Sequence, residues 1–293
     1  MLYGGIEAGG TKFVCAVGDE SGNIVKRDQF PTTLPEETMQ YVFEFFKDFE
    51  LKSLGVGSFG PIDINPNSLT YGSITSTPKK GWKDYPFLKT LKASYDIPLA
   101  FNTDVNAAAL AEATFGAAKG FDSCLYITVG TGIGAGAVVQ GNVLQGMSHP
   151  EMGHIIVRRH EQDTYEGSCL YHKDCLEGLA AGPAIKERWG KAGVDLADNK
   201  DVWEMEGFYL AQALMQYILI LSPNKIILGG GVMKQKQVFP YVFEYVKLLL
   251  NDYVPFPEVS TNIEEYIVSP GLGDNAGIMG SILMGKQAYQ EQL

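Results

Sequence analysis

Phe101-Asn102-Thr103-Asp104-Val105-Asn106-Ala107-Ala108-Ala109-Leu110 is the stretch that decides how the chain is read. Ile97-Pro98-Leu99-Ala100-Phe101 reads as a short buried strand, and 107–118 is rich enough in alanine for a helix, so Asp104 falls at a strand-to-helix junction. A carboxylate there has two readings. It does acid–base work, or one of Asn102, Thr103 and Asp104 caps the helix by accepting a hydrogen bond from an orphan N–H. Gly-rich turns lie on both sides of it in sequence, at Gly9-Gly10-Thr11 and Gly130-Thr131-Gly132, and loops of that kind hold phosphates. They tilt the balance toward chemistry.

Working outward, residues 4–17 alternate glycine with strand formers and turn again at Gly22-Asn23, which predicts a hairpin or meander. Its first turn is Gly9-Gly10-Thr11-Lys12. Backbone N–H groups of such a turn can point at an anion, and glycine allows the close approach and positive φ that this requires. Residues 123–139 repeat the plan of strand, Gly/Thr turn, strand and Gly-Asn turn, 121 residues on from Gly9 at Gly130. Either the chain has two related halves, or two glycine-rich hairpins coincide. Gly130-Thr131-Gly132-Ile133-Gly134 lies between strands and opens no helix, so the dinucleotide fingerprint fails on context; no P-loop pattern occurs either. Two hairpin turns flanking a cleft suit the polyphosphate of ATP. Helices are predicted at 35–48, 87–95, 203–221, 239–250 and 276–290, and strands at 54–59 and 225–228, with a long polar connection over 65–82. The helix beginning near Asn106 is the predicted connection, and hinge, between two lobes.

Length and charge narrow the partners. A chain of 293 residues suffices for about two domains. With 34 acidic against 23 basic residues, the net charge of −11 argues against nucleic-acid or anionic-membrane surfaces and for a small molecule. No run approaches the roughly 18 apolar residues of a membrane span. The first residues, Leu2-Tyr3-Gly4-Gly5-Ile6, lack the pattern of a secretory leader, so a cytoplasmic protein is expected.

Four cysteines are too few for a disulfide scaffold in so long a chain. Cys169, His172 and Cys175 fall in one C-x2-H-x2-C loop with His154 upstream, a set of four N/S donors with the spacing that structural zinc favours. The bland alternative is a pair of buried free thiols beside surface histidines. Glu151 and His154, in Glu151-Met152-Gly153-His154, pair a carboxylate with an imidazole and can grip adjacent hydroxyls of a polyol; solvation of Glu151 is the competing reading.

Together, Gly4-Gly5-Ile6-Glu7-Ala8-Gly9-Gly10-Thr11-Lys12, Asn102-Thr103-Asp104-Val105-Asn106-Ala107-Ala108, Thr128-Val129-Gly130-Thr131-Gly132-Ile133-Gly134, His149-Pro150-Glu151-Met152-Gly153-His154 and Gly229-Gly230-Gly231-Val232 resemble, in order, the ROK family of sugar kinases and repressors. The resemblance spans essentially the whole chain. It implies an α/β, actin-like (ribonuclease H-type) fold of two duplicated lobes: 1–115 completed by 276–293, and 116–275. ATP and a sugar would lie between them, with Mg2+ at the phosphates, structural Zn2+ in the His154/Cys169/His172/Cys175 loop, and a homodimer as the assembly. By resemblance Asp104 is the general base, and Glu151 and His154 hold sugar hydroxyls with Asn102 assisting. Gly9, Gly10, Thr11 and Lys12 would face the phosphates with Thr131 and Gly132, while Gly182, Pro183, Gly229, Gly230 and Gly231 border the adenosine.

The Cys169-x2-His172-x-Asp174-Cys175-Leu176-Glu177-Gly178 pattern, together with His149-Pro150-Glu151, resembles the bacterial fructokinase branch. A departure is Glu7, where actin-like kinases often carry Asp. The expected activity is phosphorylation of a hexose, fructose first, with glucose, mannose or an N-acetylhexosamine as other substrates. A non-catalytic sugar-responsive regulator is the alternative of another class. The phosphate turn at residue 9 leaves no room ahead of it for the DNA-binding domain of family repressors.

Overall fold

The structure is a computed structural model that describes residues 1–292; residue 293, the end of the predicted 276–293 segment, lies outside the described residues. Two five-stranded sheets carry the chain. In the first, β1 (Leu2–Ala8), β2 (Lys12–Asp19) and β3 (Ile24–Pro31) form an antiparallel meander. After α1 (Pro35–Phe46), β4 (Leu51–Ser58) pairs in parallel with β1, and after α2 (Phe87–Lys92), β5 (Leu99–Thr103) pairs in parallel with β4. Helix α3 (Asp104–Thr114) then leads to the second sheet.

There, β6 (Cys124–Val129), β7 (Ile133–Val139) and β8 (Asn142–Val143) make another antiparallel meander. Next come α4 (Leu176–Ala180), α5 (Gly182–Trp189) and α6 (Lys200–Leu221), then β9 (Ile226–Gly229) parallel to β6. Helices α7 (Val238–Leu250), α8 (Pro257–Ser260) and α9 (Ile263–Tyr266) precede β10 (Ile267–Val268), parallel to β9, and α10 (Ala276–Gln290) follows. The orders β3-β2-β1-β4-β5 and β8-β7-β6-β9-β10 match strand for strand, and Gly9 and Gly130 sit in equivalent hairpin turns. The 121-residue echo between Gly9 and Gly130 is thus a repeated architecture.

Central strands β1, β2 and β4 are buried almost throughout, as expected for strands covered on both faces, while the edge strand β3 is largely exposed. In the first half, Phe13 packs against Trp82 and Phe87 with ring centroids 5.2 and 6.0 Å away. The 65–82 connection covers this core, tied down by the Trp82 indole N–H donating to the Thr33 carbonyl at 2.8 Å. In the second half, Trp203, Tyr209 and Leu210 of α6 share a core with Ile226 and Leu228. Among the described residues no helix is long and apolar enough to cross a membrane.

The junction differs from its sequence reading by a few residues, for local reasons. The strand predicted over 97–101 runs from Leu99 to Thr103, because Pro98 has no N–H to give to a ladder and contributes only a carbonyl, which accepts from Leu54 at 3.0 Å. The helix predicted over 107–118 runs instead from Asp104 to Thr114, because Thr103 Oγ1 accepts the Asn106 N–H at 3.1 Å and starts it early. Thr103 is the cap, and Asp104 is the first helical residue.

Helix α3 is buried nearly all round, from Val105 to Glu112. Two glycines make this possible. A Cβ at Gly136 of β7 would lie 2.3 Å from the Val105 carbonyl oxygen, and one at Gly280 of α10 only 1.8 Å from that of Ala107. Neither backbone can yield without moving the helix. Gly280→Ala is therefore expected to destabilise the fold by about 2 kcal/mol or more, read as a lower urea midpoint. Gly10→Ala, in open space, should leave the midpoint nearly unchanged.

Candidate active site

Strand β5 and helix α3 deliver Asn102 and Asp104 to the same end of the first sheet. Asn102 Oδ1 accepts from the Thr103 N–H at 2.9 Å and from Asn106 Nδ2 at 2.8 Å, which leaves its amide NH2 as the group available to a ligand. Asp104 Oδ1 accepts from the Val105 N–H at 2.9 Å. Asp104 is partly exposed, yet it lies deep among protein atoms. Burial first, and the Glu7 and Glu151 carboxylates after it, push its pKa up to about 7 against the lowering pull of backbone N–H groups. An aspartate held there can take up a proton near neutral pH.

Glu7, at the end of β1, is also pushed up to about 7 by burial, opposed by Lys12 and Arg27. Its Oε2 is buried without a hydrogen-bond partner, and a Cβ at Gly277, in the first turn of α10, would strike its carboxyl. Glu7 and Lys12 line a cavity of about 480 Å³ whose opposite side is Gly229, Gly230 and Gly231, with Lys234 and Asp274 at its rim. Lys12, Lys234, Lys236 and the glycine backbone suit an anion with a bulky organic part.

Gly9, Gly10, Thr11, Thr131, Gly132, Gly182 and Pro183 lie outside the lining of that cavity. The Gly182 N–H donates to the Gly130 carbonyl at 2.8 Å, so the start of α5, with Pro183, is joined to the second turn. The reason expected for the turn glycines is corrected in part. None of Gly9, Gly10, Gly130, Gly132 and Gly134 has positive φ, whereas Gly230 does, at +91°. What Gly9 and Gly132 provide is space: a Cβ would lie 2.7 Å from the Lys12 carbonyl oxygen in the first case and 2.6 Å from Glu177 Oε2 in the second.

On the other wall, Glu151 is half exposed, and His154 ends a single helical turn just after it. His154 Nδ1 lies 3.5 Å from Cys175 Sγ and 3.8 Å from Cys169 Sγ, and Cys169 Sγ lies 3.7 Å from His172 Nδ1. All four ligand atoms fall within 4.8 Å of one another. A tetrahedron with ordinary Zn–S and Zn–N bonds has edges of roughly 3.3–3.8 Å, and the three distances given fall at that length. With Nδ1 turned to the sulfurs, His154 keeps Nε2 for another partner.

The sequence matches the ROK family over residues 3–288. The chain belongs to the ROK family. A Bacillus subtilis (strain 168) protein whose name includes fructokinase is 61% identical over 291 residues, spanning 99% of this chain and 97% of that one. The fructokinase of Pediococcus pentosaceus is 46% identical over 290 residues, spanning 99% of both chains. The ROK hexokinase of Thermus thermophilus has the same fold, with a TM-score of 0.80 at 27% identity over 99% of this chain and all of that one. The two-sheet architecture is the actin-like ATPase fold of ROK sugar kinases.

Two groups in this ROK chain escape a reading of the sequence. Glu177 Oε2 accepts the Ile133 N–H at 3.0 Å and so holds the second turn from α4, directly after Cys175. Glu112, fully buried, accepts three backbone N–H groups, from Ala117, Gly271 and Leu272, and ties the end of α3 to the approach to α10. Nothing in the local sequence of either residue names its partner, since Ile133 and Gly271 are 44 and 159 residues away.

Proposed function

We propose that the protein is an ATP-dependent fructokinase that transfers the γ-phosphoryl group of ATP to the C6 hydroxyl of D-fructose. The observation that carries this reading is Asp104: a carboxyl at the first turn of α3, pushed up to about 7 by burial and by its two acidic neighbours, Glu7, which lines the cavity, and Glu151. Fructose as the acceptor is supported by the fructokinase of Pediococcus pentosaceus, alike over nearly its full length. Glu151, His154 through Nε2, and the Asn102 amide hold the sugar hydroxyls. Asp104 accepts the proton of the attacking hydroxyl as the O–P bond forms, and the β-phosphate of the nucleotide leaves as ADP.

Gly9, Gly10, Thr11 and Lys12 cradle the phosphates with Thr131 and Gly132, and Gly182, Pro183 and Gly229 to Gly231 border the adenosine. The unpartnered Oε2 of Glu7 fits a divalent cation at the phosphates, in keeping with a hard oxygen donor left without a proton donor. Bound Mg2+ would neutralise charge on the transferring group. Positioning and proton acceptance remain the work of the side chains named above.

His154, Cys169, His172 and Cys175 fit structural Zn2+. Burial pushes the Cys175 thiol up to about 11, and a cation beside it is what would draw it into the thiolate form. The metal would stiffen the wall that presents Glu151 and His154. Residues 1–115 with 276–292 form one lobe and 116–275 the other, in a cytoplasmic homodimer.

Coupled ADP-release assays with Mg-ATP across fructose, mannose, glucose and N-acetylglucosamine test the reading. A kcat/KM highest for fructose supports it; a clear lead for another sugar removes fructose, and binding without turnover points to a regulator. Asp104→Asn should keep sugar affinity and lower kcat by roughly 100-fold or more, and near-normal turnover would take the base role from Asp104.

The pH profile has a definite sign. The base works deprotonated, so kcat/KM should fall about tenfold per unit as pH drops below about 7 and level off above it. Asp104→Asn should lose that limb. Cys169→Ser should release the zinc, measured with a colorimetric chelator, and raise KM for fructose; wild-type protein without zinc would end the metal assignment.

A further inference from the structure

His149 stands beside the sugar wall with no role in the mechanism above. Its side chain is 4% exposed. Nε2 accepts the backbone N–H of Ile62, in the loop after β4, at 3.1 Å. An accepting Nε2 carries no proton, so the neutral ring has its proton on Nδ1. That nitrogen faces Glu151 Oε1 at 3.5 Å, long for a hydrogen bond but within reach of donation after a small rotation of the half-exposed Glu151. The same loop closes over both groups: a Cβ at Gly60 would lie 3.6 Å from Glu151 Oε1 and 3.6 Å from His149 Cε1.

The arrangement has a direction. A first-sheet loop fixes the tautomer of a histidine that comes from the second half of the chain, and that histidine points its one proton at a carboxylate. Glu151 is otherwise free at the cleft edge, where a long acidic side chain must be ordered before it can grip a hydroxyl. We infer that His149 is a positioning residue for the sugar: its Nδ1–H holds one oxygen of Glu151, so that the other is presented to a substrate hydroxyl. This rests on Glu151 being a sugar ligand, as in the proposed function.

Two side chains of smaller reach separate the two ring nitrogens. In His149→Asn the amide NH2 takes the place of Nδ1, keeping a donor toward Glu151 and giving up the acceptor for Ile62. In His149→Gln the amide oxygen reaches the place of Nε2, keeping the Ile62 bond and giving up the donor. Steady-state kinetics with Mg-ATP, equilibrium binding of fructose to the full chain, and thermal unfolding are measured for both.

A lost hydrogen bond to a charged group should raise the fructose KM and Kd of His149→Gln by roughly tenfold or more, with kcat, ATP KM and Tm close to wild type. His149→Asn should stay within about threefold of wild type in fructose KM. An unchanged fructose KM in His149→Gln overturns the inference, and so does an equal loss in both variants accompanied by a rise in ATP KM, which marks a ring that only fills space. If wild-type protein prefers another hexose, the fructose assignment fails by itself, and the same comparison run with that hexose still decides for or against His149.

Discussion

The close approach of α3 to strand β7 and to helix α10 is the constraint on which the rest of the structure depends. On one side the helix backbone meets β7 where only Gly136 leaves room, and on the other it meets α10 where only Gly280 does. Ala107, Ala108, Ala109 and Ala111 add small side chains along the same length, and the Asn106 amide NH2 is taken up by Asn102, so the helix can be buried on every face. A helix held that closely has no freedom to rotate or slide. Asp104 at its first turn inherits that rigidity, and so does Asn102, which is bonded to Asn106 one turn on.

Rigidity matters because the carboxylates here are placed at a cost. Asp104 and Glu7 both sit where burial disfavours their charge, and Glu7 in turn raises Asp104. A mobile side chain would escape to solvent and return to ordinary acidity. Fixed in place, each carboxylate keeps an affinity for a proton that an exposed one lacks. Glu206, buried in α6 with an unpartnered Oε1 and raised to about 8, shows the same physics elsewhere in the molecule.

The segments between sheet and helix then act as connected parts. Cys175 closes the His/Cys cluster, Leu176 opens α4, and Glu177 reaches back to the turn at Gly132 and Ile133. At the other end, Glu112 clips the approach to α10 by three N–H bonds. Across the cleft mouth, His149 meets Ile62 and the Tyr171 hydroxyl donates to the Ser76 carbonyl at 3.2 Å. Hydrogen bonds to backbone tie these loops to one another.

Much of this was legible in the chain itself. Hydrophobic periodicity placed the long helices and central strands, because 3.6-residue and alternating patterns follow from helix and strand geometry alone. The repeated Gly/Thr hairpins announced two like sheets, and the C-x2-H-x2-C loop announced a cluster, because its ligands are close in sequence. The strand start at Leu99 and the helix start at Asp104 differ from their sequence reading by two and three residues, while the cap, Thr103, is one of the three residues the sequence names for it. Only the tertiary structure decided which turn glycines serve for space and which for φ, that Glu7 and Asp104 share a field, and that His149, Glu112 and Glu177 grip backbone far away in sequence. Those outcomes depend on distances between segments that no local pattern encodes, since they exist only once two sheets have closed around α3.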